Sequence, residues 1–268
     1  MPHEPQPHGK LGKLAPRIDK RTLRMSKYII KPPAPQAQSW TAMPEKDFAT
    51  PWPMFLNDNL GDCVIAASGH MITGWTANAG KPYMPSDDQI EIAYEKVGGY
   101  IPGRPDTDNG CVMLDALNYW RKTGIAGHQI QAFVSIDPLK GSWTKSTWNS
   151  QEIMDAVWLF GTAYIGLALP NTAQGMSQWT VDPGGPFGSA NAAAGSWGGH
   201  CVPIVAYSPA GLTVITWGAP LHMSWNFMRW YMDEAYGVLS QDWIEANGQA
   251  PDNFNLAQLE ADLISVVS

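Results

Sequence analysis

Three cysteines are all that the 268 residues contain. Cys63, Cys111 and Cys201 cannot all pair, which argues against a disulfide-built scaffold. No C-x-x-C spacing occurs and the six histidines are scattered, so neither a metal nor a cofactor site is expected. No apolar run reaches the ~18 residues of a membrane span, and "MPHEPQPHGKLGKLAPRIDKRTLRM" lacks the apolar stretch of a signal peptide. The expectation is a soluble chain that stays in the cytoplasm of the producing cell. Charge is also sparse, 15% against 44% hydrophobic residues, as befits a globular chain with a substantial core.

What is abundant is Trp, at 13 copies, with 22 Pro and 26 Gly, a composition of many loops anchored by large aromatics. The charge that exists is unevenly placed. Residues 1–31 hold eight Lys/Arg against Glu4 and Asp19, a surplus of six positive charges, and the remainder carries thirteen negative ones within the total of −7. A basic arm on an acidic body can dock on that body, on an acidic partner or on nucleic acid. Nucleic acid is the weakest of these, because the arm lacks interleaved aromatics and no DNA-reading motif follows.

Residues 1–50 read as an extended, Pro-rich arm. Beyond it, Asp62 is placed to cap a helix over 63–79, with Val64, Ala67, Met71 and Trp75 at spacings of three and four. "SDDQIEIAYEKVGG" is a second helix with Ser86 and Gln89 in capping-box positions, closed by Gly98-Gly99. "CVMLDALNYWRKTG" is a third, ended by Gly124. The second half alternates "QIQAFVSI", "AYIGLALP", "HCVPIVAYSP", "GLTVITWG" and "AYGVLS" as strands, with "SQEIMDAVWLFG" as a helix. Helices first and antiparallel strands second predict an α+β protein of two lobes: a helical one over about 51–127 and a β-rich one over about 128–268.

A nucleophilic thiol needs a lowered pKa, a nearby base and donors for an oxyanion. Cys63 opens a helix, where the partial positive charge favours a thiolate. His200 opens a strand after a glycine-rich loop, and Asn57 can offer an amide beside the Cys63 N–H. The competing reading is that a cysteine at a helix start is packing. Cys201, adjacent to His200 on a strand, points to the opposite face and is expected in the core. His70, two turns after Cys63, reads as a core or lobe-contact residue. "DTDN" at 106–109 reads as a turn, since the calcium-loop pattern is incomplete. Trp225, Met228 and Met232 sit at helical spacing, with Asp233-Glu234 as a solvated edge. The loop 183–199 is open to use as a lid or specificity loop.

The order of these segments resembles the papain-like cysteine peptidases, through roughly residues 35–240. "SW" at 39–40 is similar to the Asp-Trp near the start of the mature domain. In "NDNLGDCVIAASG" Asn57 falls on the oxyanion Gln and Cys63 on the nucleophile. "DNGCVMLDALNYWRKTGI" resembles the Gly-Gly loop and the helix ending in Gly-Ile, and "VWLFGTAYIGLAL" the Gly-Pro-Val strand. "GGHCVPIVAY" places His200 on the catalytic histidine, and "VITWG" matches Trp217 and Gly218, Trp217 packing on that histidine. The resemblance implies a papain-like two-lobe fold, a helical lobe followed by an antiparallel, β-barrel-like one, and catalytic Cys63 and His200. It also shows departures. Ile215 stands where the family has its orienting Asn, leaving Thr216 or Asp233 as substitutes, and Asp62 puts a negative charge beside the thiol. No acidic pocket residue is identified to set substrate preference.

Two readings follow. One is an amide hydrolase acting on peptide or protein through a Cys63–His200 dyad, with Asn57 at the oxyanion. The other is an inactive structural protein using the scaffold, its arm contacting neighbouring subunits. Segments such as "DNG…LDALNYWR" resemble bacteriophage proteins, which would place that alternative in a virion, associated with the capsid or head. No membrane partner is expected under either.

Overall fold

The computed structural model describes residues 9–30, 34–137, 148–247 and 254–267. Its centre is helix α2, Cys63–Asn78, preceded by the short α1, Ala42–Asp47, and followed by α3, Asp87–Gly98, and α4, Met113–Lys122. Residues 63–73 of α2 are buried on every side, so this helix is a core element shared by both lobes. Its hydroxyls are satisfied within the helix: Ser68, Thr73 and Thr76 donate to the carbonyls of Val64, Gly69 and Ile72 at 3.2, 3.0 and 2.8 Å, which removes the cost of burying them. The Trp75 indole donates to the Phe160 carbonyl at 2.7 Å, tying α2 to the other lobe.

The capping box at α3 forms as the sequence indicates, with Ser86 and Gln89 satisfying each other's backbone and Gly99 closing the helix at φ 73°. Asp62 differs. It precedes α2 but makes no capping bond, because its side chain is turned inward and fully buried.

The strands are β1, Gln38–Ser39; β2, Ile130–Ser135; β3, Ala163–Leu169; β4, Gln178–Trp179; β5, Gly198–Ser208; β6, Gly211–Thr216; β7, Ala219–Met223; and β8, Met232–Ser240. They join one eight-stranded sheet in the order β2-β8-β3-β5-β6-β7-β4, with β1 added to β5. The barrel-like lobe expected from the sequence is thus an open sheet, ended by β2 and β4, and its β4–β7 pair is parallel. Helices α5, Ser150–Phe160; α6, Trp225–Tyr231; α7, Gln241–Asn247; and α8, Leu256–Val267 accompany it. The helical spacing of Trp225, Met228 and Met232 stops one residue short. Met232 is already extended at ψ 130° and pairs with Leu167 as the first residue of β8, so Asp233 and Glu234 lie on a strand. Among the described residues no helix is long and apolar enough to cross a membrane.

The two cores interlock, since Phe133, Tyr164 and Val238 of the sheet pack with α2, α3 and α4. The N-terminal arm is stitched into the other core. Met25 and Tyr28 are fully buried there. Leu23 accepts from the Ser135 N–H at 2.7 Å and Tyr28 from the Asn255 N–H at 2.8 Å. The arm's cations pair with carboxylates of the same chain: Lys10 with Asp108, Lys13 with Asp233 and Glu234, Arg17 with Asp115, Arg24 with Asp137 and Lys27 with Asp262. This is the self-docking option that the charge asymmetry permits.

Truncating Met25 to Ala should therefore lower the unfolding free energy by about 2–5 kcal/mol, read from the urea midpoint. A change within about 0.5 kcal/mol, as at ordinary surface positions, would show that the arm is not part of the core.

Candidate active site

Three segments converge at the N-terminus of α2. The first carries Asn57. Phe55 and Leu56 ahead of it have φ of 52° and 69°, a left-handed stretch that non-glycine residues adopt only when packing holds them there. Phe55 is 1% exposed in the helical core, and its burial anchors the turn. Asn57 Nδ2 donates to the Leu60 carbonyl at 3.0 Å. The next turn is fastened by Asp108, which accepts from the Gly61 N–H at 2.8 Å and the Tyr94 hydroxyl at 2.6 Å. Those bonds, with Lys10, outweigh its partial burial and hold its pKa below the usual carboxylate value.

The second segment is Cys63 itself, the first residue of α2. The third is the β5–β6 pair. His200 is the third residue of β5, and its Nε2 lies 2.8 Å from the Thr216 hydroxyl at the end of β6. Thr216 thus takes the orienting position that the resemblance assigns to Ile215. Ile215 alternates to the other face of the strand and is buried with Trp52 and Val205. Trp217, with φ 43°, lies over the imidazole at 4.5 Å between ring centroids and 21° between planes. Trp179 closes another side, edge-on to the imidazole at 6.3 Å.

The cleft between these segments is filled by the chain's own residues 9–14, "GKLGKL". The Lys10 N–H donates to the Asn57 carbonyl at 2.7 Å, and its carbonyl accepts from Asn57 Nδ2 at 3.2 Å and from the Trp217 indole at 3.3 Å. The Gly12 carbonyl accepts from the Cys111 N–H at 2.9 Å, and the Leu14 N–H donates to the Cys111 carbonyl at 3.1 Å. The Lys13 N–H donates to the Gly199 carbonyl at 3.1 Å, one residue before His200. Such close backbone contact needs glycine. A Cβ on Gly12 would stand 1.6 Å from the Gly61 carbonyl oxygen.

Burial sets the ionisation of the site. Burial pushes the Cys63 thiol up to about 12, against hydrogen bonds from the backbone of Cys201 and Gly12. Burial alone pulls His200 down to about 3. Its Nδ1 has no hydrogen-bond partner, so no hydrogen bond joins it to the thiol in this state. Asp62 is 0% exposed, neither oxygen makes a well-aligned hydrogen bond, and burial, opposed in part by the Asn57 amide, raises its pKa well above the carboxylate norm. Burial thus disfavours the charged form of Asp62, the form that would oppose a thiolate at Cys63.

Asn57, Cys63, His200 and Trp217 are thus brought together. Cys201 and Cys111 are buried, and His70 is a core residue bonded to the Pro53 carbonyl at 2.7 Å. Phe187 lies outside the cleft, 76% exposed against Trp230. Asp233 and Glu234, expected as a solvated edge, instead face Lys13: its ammonium is 2.9 Å from Asp233 Oδ2 and 3.1 Å from Glu234 Oε1. An acidic pocket is therefore present where none was expected. Its only signal in the sequence was an acid pair next to an apolar strand.

No protein-family model and no curated protein matches the sequence. Solved structures do. Xylellain, a cysteine protease from Xylella fastidiosa, aligns over 89% of this chain and 98% of its own at 11% identity and a TM-score of 0.62. Procathepsin B S9 from Trypanosoma congolense aligns over 87% and 86% at 10% identity and 0.55. Digestive procathepsin L 3 of Tenebrio molitor larval midgut aligns over 88% and 76% at 11% identity and 0.53. The fold is papain-like.

Since nothing larger than hydrogen fits at Gly12, Gly12→Val should expel residues 9–14 from the cleft. Iodoacetamide alkylation of Cys63 at pH 7.5, followed by mass spectrometry, should then rise at least tenfold over the unsubstituted chain. Equal rates in both would show that the arm does not guard the sulfur.

Proposed function

We propose that this chain, built on the papain-like fold, is a cysteine peptidase or related amide hydrolase held latent by its own residues 9–14. The observation that carries the reading is the convergence of the Cys63 sulfur, the Thr216-bound His200 and the Asn57 amide on one short stretch of the arm. That stretch occupies the ground a substrate would need. Gly12 hydrogen-bonds the sulfur and Lys10 takes the Asn57 amide. Two of the similar structures are described by name as proenzymes, a procathepsin B and a procathepsin L, which accords with a blocking segment. No observation favours the virion-scaffold reading; five of the arm's cations pair with carboxylates of the body.

With the arm displaced, water reaches both members of the dyad and relieves the burial that holds them neutral. In the tautomer with its proton on Nε2, His200 donates to the Thr216 hydroxyl and Nδ1 is left to take the thiol proton. The Cys63 sulfur attacks the carbonyl carbon of a peptide. The oxyanion is held by Asn57 Nδ2 and the Cys63 N–H at the positive end of α2. His200 returns the proton to the leaving amine, and water then hydrolyses the thioester along the same route.

In the Gly12→Val background, hydrolysis of a fluorogenic peptide pool should appear and vanish on adding Cys63→Ser. Adding Thr216→Val, which keeps the shape and removes the hydroxyl, should lower kcat/KM on the order of 10²-fold with KM little changed. Undiminished hydrolysis with Cys63→Ser would sink the assignment.

The buried neutral His200 also makes occupancy depend on pH. Burial in the filled cleft holds its pKa at about 3, below the ordinary 6.5, so the filled state binds fewer protons than a hydrated cleft would. The stability that this contributes is present above pH 6.5 and is lost as pH falls toward 3. Amide exchange at Lys10 and Lys13, corrected for intrinsic rates, should accelerate as pH drops from 6.5 to 4. In a His200→Gln variant that acceleration should shrink. A pH-independent protection factor would contradict it.

A further inference from the structure

Among the described residues, Lys13 is the one cation of the arm whose side chain is buried, 1% exposed. It reaches its position through a channel that the sheet leaves open at Gly166 of β3. A Cβ there would stand 2.1 Å from Lys13 Cε and 2.7 Å from Glu234 Cγ. At the end of the channel the ammonium meets Asp233 Oδ2, Glu234 Oε1 and the Leu14 carbonyl at 2.9, 3.1 and 3.1 Å. Tyr236 donates to the other Glu234 oxygen at 3.1 Å, fixing that carboxylate toward the channel. The position is next to the chemistry. Lys13 follows Gly12, whose backbone touches the Cys63 sulfur, and its own N–H is held by Gly199, the residue before His200.

We propose that the pocket formed by Gly166, Asp233, Glu234 and Tyr236 is a binding site for a basic side chain, lysine or arginine, and that Lys13 is the built-in occupant which a substrate residue replaces. The inference rests on residues 9–14 marking the substrate cleft. Two carboxylates against one ammonium leave the filled pocket with an excess negative charge, and the emptied pocket with two. Another cation is the ligand that relieves this, whereas an apolar side chain would leave the buried Glu234 carboxylate unpaired. The channel selects length as well. Its floor is bare backbone at Gly166, so an unbranched stem passes where a branched one does not. Burial lowers the Lys13 pKa, yet the two carboxylates together raise it above the ordinary value, so the occupant is charged throughout the neutral range.

The test uses the full chain and needs no catalysis. Lys13→Ala empties the pocket, and n-butylammonium at 50 mM should then raise the melting temperature by about 2 °C or more. The unsubstituted chain, the same dose of n-butanol, and Lys13→Ala carrying Asp233→Asn and Glu234→Gln should show no rise. If Lys13→Ala does not fold, Gly12→Val, which frees the pocket by displacing the arm, takes its place under the same amine titration. An absent or unsaturable shift, or an equal one in the carboxamide variant, overturns the pocket. A separate readout comes from fluorogenic peptides on the Gly12→Val chain. Cleaved sequences should share Lys or Arg at one fixed position, and Asp233→Asn with Glu234→Gln should cut that preference at least tenfold. Cleavage indifferent to basic residues overturns the proposal. Amine binding without any cleavage leaves the pocket standing and removes only the peptidase reading.

Discussion

A buried ammonium decides where the arm lies. Taking Lys13 out of water without partners would cost several kcal/mol, and only a matched pair of carboxylates in good geometry offsets that. The body offers such a pair at Asp233 and Glu234, at the start of β8. The arm's other cations make looser pairs; Lys10, for instance, keeps half its side chain in solvent beside Asp108. Exposed pairs of this kind contribute about 0–1 kcal/mol each. They explain affinity between a basic arm and an acidic body without fixing a register. Lys13 fixes it. With Lys13 seated, Gly12 must cross the sulfur, Lys10 must reach Asn57, and Met25 and Tyr28 arrive at their places in the core.

The same placement controls the chemistry by excluding water. A thiol pushed up to about 12 and an imidazole pulled down to about 3 are both the outcome of desolvation, which disfavours whichever form is charged. Geometry and ionisation are therefore separable here. Thr216 and Trp217 hold the imidazole in place, while burial disfavours a charge on it. The buried Asp62 belongs to the same logic. A carboxylate beside the Cys63 thiol raises the thiol pKa. Burial raises the pKa of Asp62 itself, which acts against that effect.

Much of the site was legible before any coordinates. Cys63 at a helix start, His200 at a strand start and Trp217-Gly218 after a strand are local patterns, readable without the fold. The capping box of α3 was readable because its two partners sit three residues apart. What escaped was non-local. Thr216 was one of two candidates for the orienter, because sequence does not say which residue of Ile215-Thr216 faces the histidine; strand alternation against Trp52 and Val205 settles it. Asp233-Glu234 looked like a solvated edge because the cation that buries them lies 220 residues away. The glycines of "GKLGKL" resembled ordinary arm flexibility, yet Gly12 is there because the Gly61 carbonyl leaves no room for a side chain.

A tethered segment competes with a free ligand on unequal terms. Because it is attached, its cleft contacts operate at an effective concentration in the millimolar range, so modest contacts suffice to keep the cleft closed against dilute peptides. The tether here is short and well anchored: Met25 and Tyr28 are locked in the core, only about a dozen residues beyond the sulfur. Anchoring at that point keeps the plug from diffusing away, but it also confines the reversible part of the arm to the residues before Met25. Opening therefore need not unfold the body. Under the proposed reading, a cation that takes the place of Lys13 between its two carboxylates removes the contact that holds the register, and the remaining hydrogen bonds of residues 10–14 are left to hold the segment alone. The contact that fixes the register is thus also the one through which the cleft can be released.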